Sequence, residues 1–313
     1  MKYKITYHMM PWEVDYALLS FTQFKKSKYY LNLDEDEIIF SIELNLSKKI
    51  FNWNKSKLPK QFFIDKYNQI LKLLNEDYEV EGNIYEGGLL RGHLQHQREA
   101  IKPDVDFYIS VCPDTYFSEH LLSLMIAVSK QITNEYFVLT PEIYKMWDNT
   151  WDEITNATYL NVPYDDWNKG DIFDLRVDMK NQEDYLNGEV SVSPEPTQKS
   201  KWAGWFDLYS KSMYENLCPF LDEWEGYGPW DWYSLILTEH AKKTGIDFQQ
   251  YVLRGQTIFE YCTGPLLEGG FKDYYKNYLV MNKDVPDQRK EFEGKMQEYL
   301  DKAVKSWEKT ILV

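Results

Sequence analysis

Apolar and polar positions in the first third of the chain switch repeatedly between a spacing near two and a spacing near 3.6. That is the pattern of strands alternating with helices. Residues 4–8 read as a strand that Pro11 ends, and residues 13–25 then carry Val14, Leu18, Phe21 and Phe24 at helical spacing. The β-branched, apolar run 37–44 predicts a second strand. Phe62, Tyr67, Ile70, Leu71 and Leu74 give a helix over 61–74 one apolar face. A third strand is expected near 78–80, before a Gly87-Gly88 turn, and a short polar helix over 91–100. Residues 107–111 predict a buried fourth strand, and Ser118 stands where it would cap a helix over 119–130. Glu119 in that first turn suits the helix dipole. Strands and helices in this order predict an α/β fold around a mostly parallel sheet.

The second half changes character. Residues 161–201 are rich in Asp, Asn, Ser and Pro with weak periodicity, which reads as a long surface segment, either a lid or a plain connector. Beyond Gly204, aromatic-rich helices alternate with turns at Gly226-Tyr227-Gly228-Pro229 and Gly269-Gly270. Residues 286–309 predict a charged amphipathic helix. No internal repeat occurs, and 313 residues suffice for one large α/β unit, so we expect a single domain.

Charge narrows the function classes. With 35 basic and 50 acidic residues the net charge is −15, against the cationic face that non-specific binding to nucleic acid or anionic membrane needs. No uncharged apolar run approaches the ~20 residues of a membrane helix, so no membrane insertion is expected. The N-terminus lacks the apolar stretch of a secretory signal. Cys112, Cys218 and Cys262 form no Cys-x-x-Cys pair, which argues against a disulfide framework or zinc ribbon and places the protein in a reducing, cytoplasmic setting. Aromatics reach 17%, enough either to fill a core or to offer faces that stack on sugars and bases.

In open parallel sheets, ligands bind outside the carboxyl ends of the strands. Asp34-Glu35-Asp36 and Asp104-Val105-Asp106 precede strands and so lie at the wrong end. Cys112-Pro113-Asp114-Thr115 follows one, which makes Asp114 the acid best placed to meet a metal-bound phosphate, or else a turn aspartate. Asp231 sits between Trp230 and Trp232 after Gly228-Pro229. Aromatic faces desolvate such a carboxylate and raise its pKa, as a base requires, while a helix-capping aspartate over 232–243 is the plainer reading. His93 and His96 share a helix face and with His120 or His240 could make a zinc site. No Glu/His spacing of the metalloprotease type occurs, however, and donor contacts or plain surface histidines are the simpler reading. Hydrolase elbows, dinucleotide glycine motifs and phosphate loops are missing.

The run from Asp106 through Ser110, Val111, Cys112, Pro113 and Asp114 to Phe117 resembles the segment of GT-A glycosyltransferases that ends in their metal-binding Asp-x-Asp. Gly87-Gly88 with Arg91-Gly92-His93-Leu94-Gln95-His96-Gln97-Arg98 resembles the glycine turn and polar helix beside the donor. Tyr136-Phe137-Val138-Leu139-Thr140-Pro141-Glu142 and Trp147-Asp148-Asn149-Thr150-Trp151-Asp152 are similar to segments of phage- and virus-type, family-2-like members. Gly204-Trp205-Phe206 and Gly226 to Asp231 resemble the acceptor-side strand and the loop that carries the base of inverting members. The resemblance covers roughly residues 1 to 265 and implies a GT-A-like, Rossmann-like mixed sheet flanked by helices, with a helical C-terminal part. It implies a hexosyltransferase-type enzyme that moves a sugar from a nucleotide-sugar donor to a hydroxyl of a glycan, protein or modified nucleobase. Residues 1–165 would bind the donor and 166–313 the acceptor. Pro11, Glu13, Asp15, Arg91, His93, Gln97 and Asp114 would contact the donor, Asp114 would hold Mg or Mn, Trp205 and Trp230 would stack on the acceptor, and Asp231 would be the base, with Asp207 and Glu239 the next carboxylates to consider. Cys112 stands where the first metal aspartate belongs, and a thiol is a poor ligand for a hard cation. That departure leaves open a metal-free enzyme with Arg91, Arg98 or Arg176 at the diphosphate, or a non-catalytic carbohydrate-binding protein on the same scaffold.

Overall fold

The computed structural model describes residues 1–87, 93–145, 191–195, 206–217, 245–260, 278–282 and residue 298. In β1 (Lys2–Met9), Tyr3, Ile5, Tyr7 and Met9 alternate with Lys4, Thr6 and His8, and every residue from Tyr3 onward is buried. A strand covered on both faces is interior to its sheet. Accordingly β1 runs parallel to β2 (Glu37–Asn45) on one side and to β4 (Phe107–Val111) on the other, and β3 (Glu79–Tyr85) continues parallel beyond β2. The remaining strands are β5 (Thr115–Tyr116), β6 (Tyr136–Lys145), β7 (Ser191–Glu195), β8 (Phe206–Ser210) and β9 (Phe248–Glu260). Among the described residues the order is β3-β2-β1-β4-β8-β6-β9-β5, with β7 also on β9. β8 is antiparallel to β4 and β6, whereas β6 and β9 are parallel. The fold is mixed α/β with a large, mostly parallel sheet flanked by helices, as expected.

Connection handedness distributes the helices. α1 (Val14–Ser27) and α2 (Lys60–Asn75) lead from β1 to β2 to β3, always in one direction, so right-handed crossovers put both on one face. The return to β4 reverses direction and puts α3 (His93–Glu99) on the other face, where His96 reaches the Ser41 carbonyl and Gln97 the Ser110 hydroxyl. The α1 face is apolar and rich in rings. Phe24 meets Phe40, Phe117 and Phe206, and Phe21 meets Tyr7. Leu18 does not join it: the buried stripe is Val14, Ala17, Phe21 and Phe24, and Leu18 is 40% exposed. Likewise Phe63, not Phe62, takes the buried place on α2. Gly82 of β3 lets α2 come close, because a Cβ there would lie 2.7 Å from Leu71 Cδ1 and 2.9 Å from the Tyr67 hydroxyl.

The α3 face is polar. Lys4, wholly buried, places Nζ 2.7 Å from Glu81 Oε2, and Lys102 pairs with the other Glu81 oxygen. Burial pulls the Lys4 ammonium below its ordinary value. Burial alone would raise Glu81, but Lys102 and Lys4 hold it below the usual carboxylate range. Glu81→Gln strands a buried ammonium, and we expect a loss of about 2–3 kcal/mol, under the figure for fully buried pairs because Glu81 keeps partial access to water. A depressed carboxylate stabilises above its unfolded pKa near 4.5 and loses that contribution as pH falls through the lowered folded value. Urea unfolding should therefore show a larger gap between the two proteins at pH 7 than at pH 3. An equal gap at both pH values would contradict this role.

Other expectations shift. β3 runs on to Tyr85, because Glu79, Glu81 and Asn83 line the polar face and make its second half read as loop. α4 (Leu121–Ser129) starts two residues later than expected: the Ser118 hydroxyl accepts the His120 amide at 3.2 Å, and the Glu119 carboxylate takes the Tyr30 hydroxyl instead of the helix amides. Within the polar stretch 161–201, residues Ser191–Glu195 form a strand antiparallel to β9, and the rest lies outside the described residues. The turns at Gly226–Pro229 and Gly269–Gly270 also lie outside them, as does the tail 286–309 apart from residue 298. No helix among the described residues is long and apolar enough to cross a membrane.

Candidate active site

Strand order reverses between β1 and β4, and in open α/β sheets such a switch point, outside the carboxyl ends, is where a ligand crevice lies. The sequence shapes its two lips. After β1, Pro11–Glu13 form a tight 3-10 turn in which the Met10 amide donates to Glu13 Oε2 at 2.6 Å and the Glu13 amide to the Met10 carbonyl at 2.9 Å. After β4, the Thr115 hydroxyl donates to the Cys112 carbonyl at 2.8 Å and closes the Cys112-Pro113-Asp114 turn. β5 then pairs Thr115 with Glu260, bringing the end of β9 to the same place. Asp207 stands opposite Ser110 on β8, wholly buried, and accepts the Tyr209 hydroxyl at 3.0 Å.

These elements gather Glu13, Asp114, Asp207 and Glu260, all less than one tenth exposed, around the half-buried Cys112. Burial, then Asp114, Glu260, Glu13 and Asp207, push the thiol well above its ordinary value. Only the thiolate reacts with an alkylating agent. At pH 8.5, Cys112 in the folded chain should react at least about 10-fold more slowly than in urea, read by peptide mass spectrometry. Equal rates would mean that neither burial nor the neighbouring carboxylates raise the thiol.

A second polar group lies under α3. Glu43 of β2, wholly buried, accepts Asn83 Nδ2 at 2.7 Å and has His8 Nε2 at 3.6 Å and His96 Nδ1 at 3.8 Å. His96 Nε2 donates to the Ser41 carbonyl at 2.9 Å, which leaves Nδ1 toward Glu43.

No protein-family model matches the chain, and no curated protein matches it in sequence. Solved structures do. TarS 1-349 of S. aureus in complex with UDP-GlcNAc superposes with a TM-score of 0.50 at 10% identity, over 89% of this chain and 64% of that one. TarS 1-349 alone gives 0.49 at 11% identity, over 83% and 60%. GalNAc-T7 with UDP, GalNAc and Mn2+ gives 0.46 at 11% identity, over 83% and 44%. The chain thus spans less than two thirds of the length of each. The likeness to the UDP-GlcNAc complex shows the fold, which is GT-A-like.

Within this GT-A frame the residues expected from sequence separate. Pro11, Glu13 and Asp114 come together at the crevice. Asp15, one turn further on, is exposed and paired with Lys66 of α2. Gln97 is buried, its amide donating to Ser110 Oγ, so it fastens α3 to β4. His93 opens α3, while His120 packs edge-on against Tyr30 and is not joined with His96. Arg91, Trp205, Trp230, Asp231 and Glu239 lie outside the described residues. The two Asp-x-Asp runs lie at the amino ends, as expected: Asp36 pairs with Lys130 at 2.6 Å, and Asp104 with Lys2 at 2.7 Å. Glu260, Glu43 and His8 escaped sequence reasoning. The signal for Glu43 and His8 was a charged or ionisable side chain on the polar rows of β1 and β2; Glu260 needed the β5–β9 pairing.

Proposed function

We propose that the protein is a nucleotide-sugar-dependent glycosyltransferase that moves a hexosyl group to an acceptor hydroxyl, with the donor diphosphate in the β1–β4 crevice. The observation that carries this is Asp114, a carboxylate held almost buried at the carboxyl end of β4 where the strand order reverses. A diphosphate entering among four carboxylates needs a counter-cation. Among the described residues no three His, Cys, Asp or Glu side chains form a cation cage. A magnesium or manganese ion fits the site nonetheless, since such ions commonly take one or two protein carboxylates and fill their shell with phosphate oxygens and water. Asp114 is the residue that would hold it, with the neutral Cys112 thiol a weak neighbour. Such an ion supplies stabilisation of the charge that develops on the departing diphosphate.

The chain's own groups do the rest. Glu13, fixed by the Met10 amide, holds the nucleotide-side lip in shape. Arg91, His93 and Asp15 are the further donor contacts in this reading, and Trp205 and Trp230 stack on the acceptor. In an inverting reaction Asp231 takes the proton of the acceptor hydroxyl as the acceptor oxygen bonds to the anomeric carbon and the bond to the diphosphate breaks. Residues 1–165 hold the donor and 166–313 the acceptor. A glycan is the acceptor class that the aromatic residues fit best, and the cysteine usage fits a cytoplasmic enzyme. The segments at 136–142 and 147–152 favour a phage- or virus-type, family-2-like member.

A thermal-shift screen of nucleotide sugars with and without MnCl2 tests the reading. A ligand at 100 times its Kd adds about 2.7 kcal/mol, a shift of several degrees. We expect at least one uridine or guanosine diphosphate sugar to raise the melting point only with the ion present. A flat response across the set would overturn the proposal.

A further inference from the structure

A short stretch after β9 returns across the fold to the loop that follows β2. The Asn52 amide donates to the Val280 carbonyl, the Lys57 amide to that of Tyr278 and the Asn282 amide to that of Ile50, each at 2.8 Å. Met281 bridges Phe51 in antiparallel fashion, and the Ser56 hydroxyl donates to the Tyr278 carbonyl at 3.1 Å. Asn282 Nδ2 donates to the carbonyls of Lys48, at 2.6 Å, and Lys49, at 2.8 Å. Leu279 is 5% exposed and belongs to the main core. A stretch this short, carrying this many bonds to one loop, holds that loop in place.

The loop in turn touches the crevice. The Phe51 ring meets Trp12 edge-on at 5.8 Å and Trp53 at 5.0 Å, and Trp53 Nε1 donates to the Leu46 carbonyl at 3.2 Å. Trp12 is the middle residue of Pro11–Glu13, the turn whose Glu13 carboxylate acts on Cys112. Contacts therefore run from residues 278–282, through the Met281–Phe51 bridge and the Phe51–Trp12 ring contact, to the turn Pro11–Glu13.

We infer that residues 278–282 are a clasp that positions the turn Pro11–Glu13 for the donor, with Asn282 as its positioning residue. It rests on the glycosyltransferase reading only for what the turn binds. The clasp lies in the half of the chain expected to serve the acceptor, so it makes donor affinity depend on a segment more than 220 residues away in sequence from the loop that it holds. Releasing it lowers the population of the held turn, and apparent affinity falls by the same fraction.

The test is Asn282→Ala in the full chain, since Asn282 is only partly buried and not a member of the hydrophobic core. Hydrogen exchange should rise in residues 47–57 and also in 10–14, with the β1–β2 ladder unchanged. If the held turn falls to about one tenth, UDP with MnCl2 binds about 10-fold more weakly, and KM for a donor rises while kcat holds. A Leu279→Ala, Asn282→Ala double variant should enlarge both effects. Exchange that rises in 47–57 alone, or in neither segment in both variants, overturns the clasp. If the wild type binds no UDP, the glycosyltransferase reading loses its support, and exchange at 10–14 still decides the clasp.

Discussion

Asp114→Asn should lower sugar transfer by about 100- to 1,000-fold, the equivalent of roughly 3–4 kcal/mol of lost charge stabilisation at the leaving diphosphate. Asparagine keeps the shape of the side chain and its place in the turn that the Thr115 hydroxyl closes, so the fold should survive. What goes is the one negative charge that would face the cation in this reading. EDTA should reproduce the loss in the wild type and add little in the variant. The Cys112 thiol is a poor substitute, because a soft sulfur ligand suits a hard cation badly. Full activity in EDTA would remove the ion from the mechanism and return attention to Arg91 and Arg98.

Asp231→Asn is expected to cost ~100- to 10,000-fold in turnover, the usual loss when a general base is removed. Donor affinity should hold, because the base acts on the acceptor. The change keeps size and most hydrogen bonding, so an unfolded variant would mean that Asp231 mainly caps a helix. Unchanged turnover would point to another carboxylate. Asp207 is then the first to test: it lies in the row of Ser110, two residues below Cys112, although its full burial hinders contact with an acceptor.

The first half of the fold was legible because each element obeyed one period. β4 matches its expected bounds, and β1 and β2 differ only at their ends. What failed had two faces of opposite kind. β3 hides its second half behind Glu81 and Asn83, and α1 swaps Leu18 for the small Ala17, which lies closer to the direction of Val14, Phe21 and Phe24. Asp114 could be found because the rule of strand ends needs only local order. Glu260 could not, since it reaches the crevice through the pairing of a two-residue strand with one more than 140 residues away, and nothing local encodes that partnership. β8 and β9 enter the sheet in the same way, by pairings that depend on the whole chain.

The most direct test is a crystal structure with a uridine diphosphate sugar and Mn2+, phased at the manganese edge. The account predicts an anomalous peak about 2 Å from an Asp114 carboxylate oxygen, bridged to a diphosphate lying between the carboxyl ends of β1 and β4. A manganese held elsewhere, or a diphosphate bound on another face of the sheet, would contradict it.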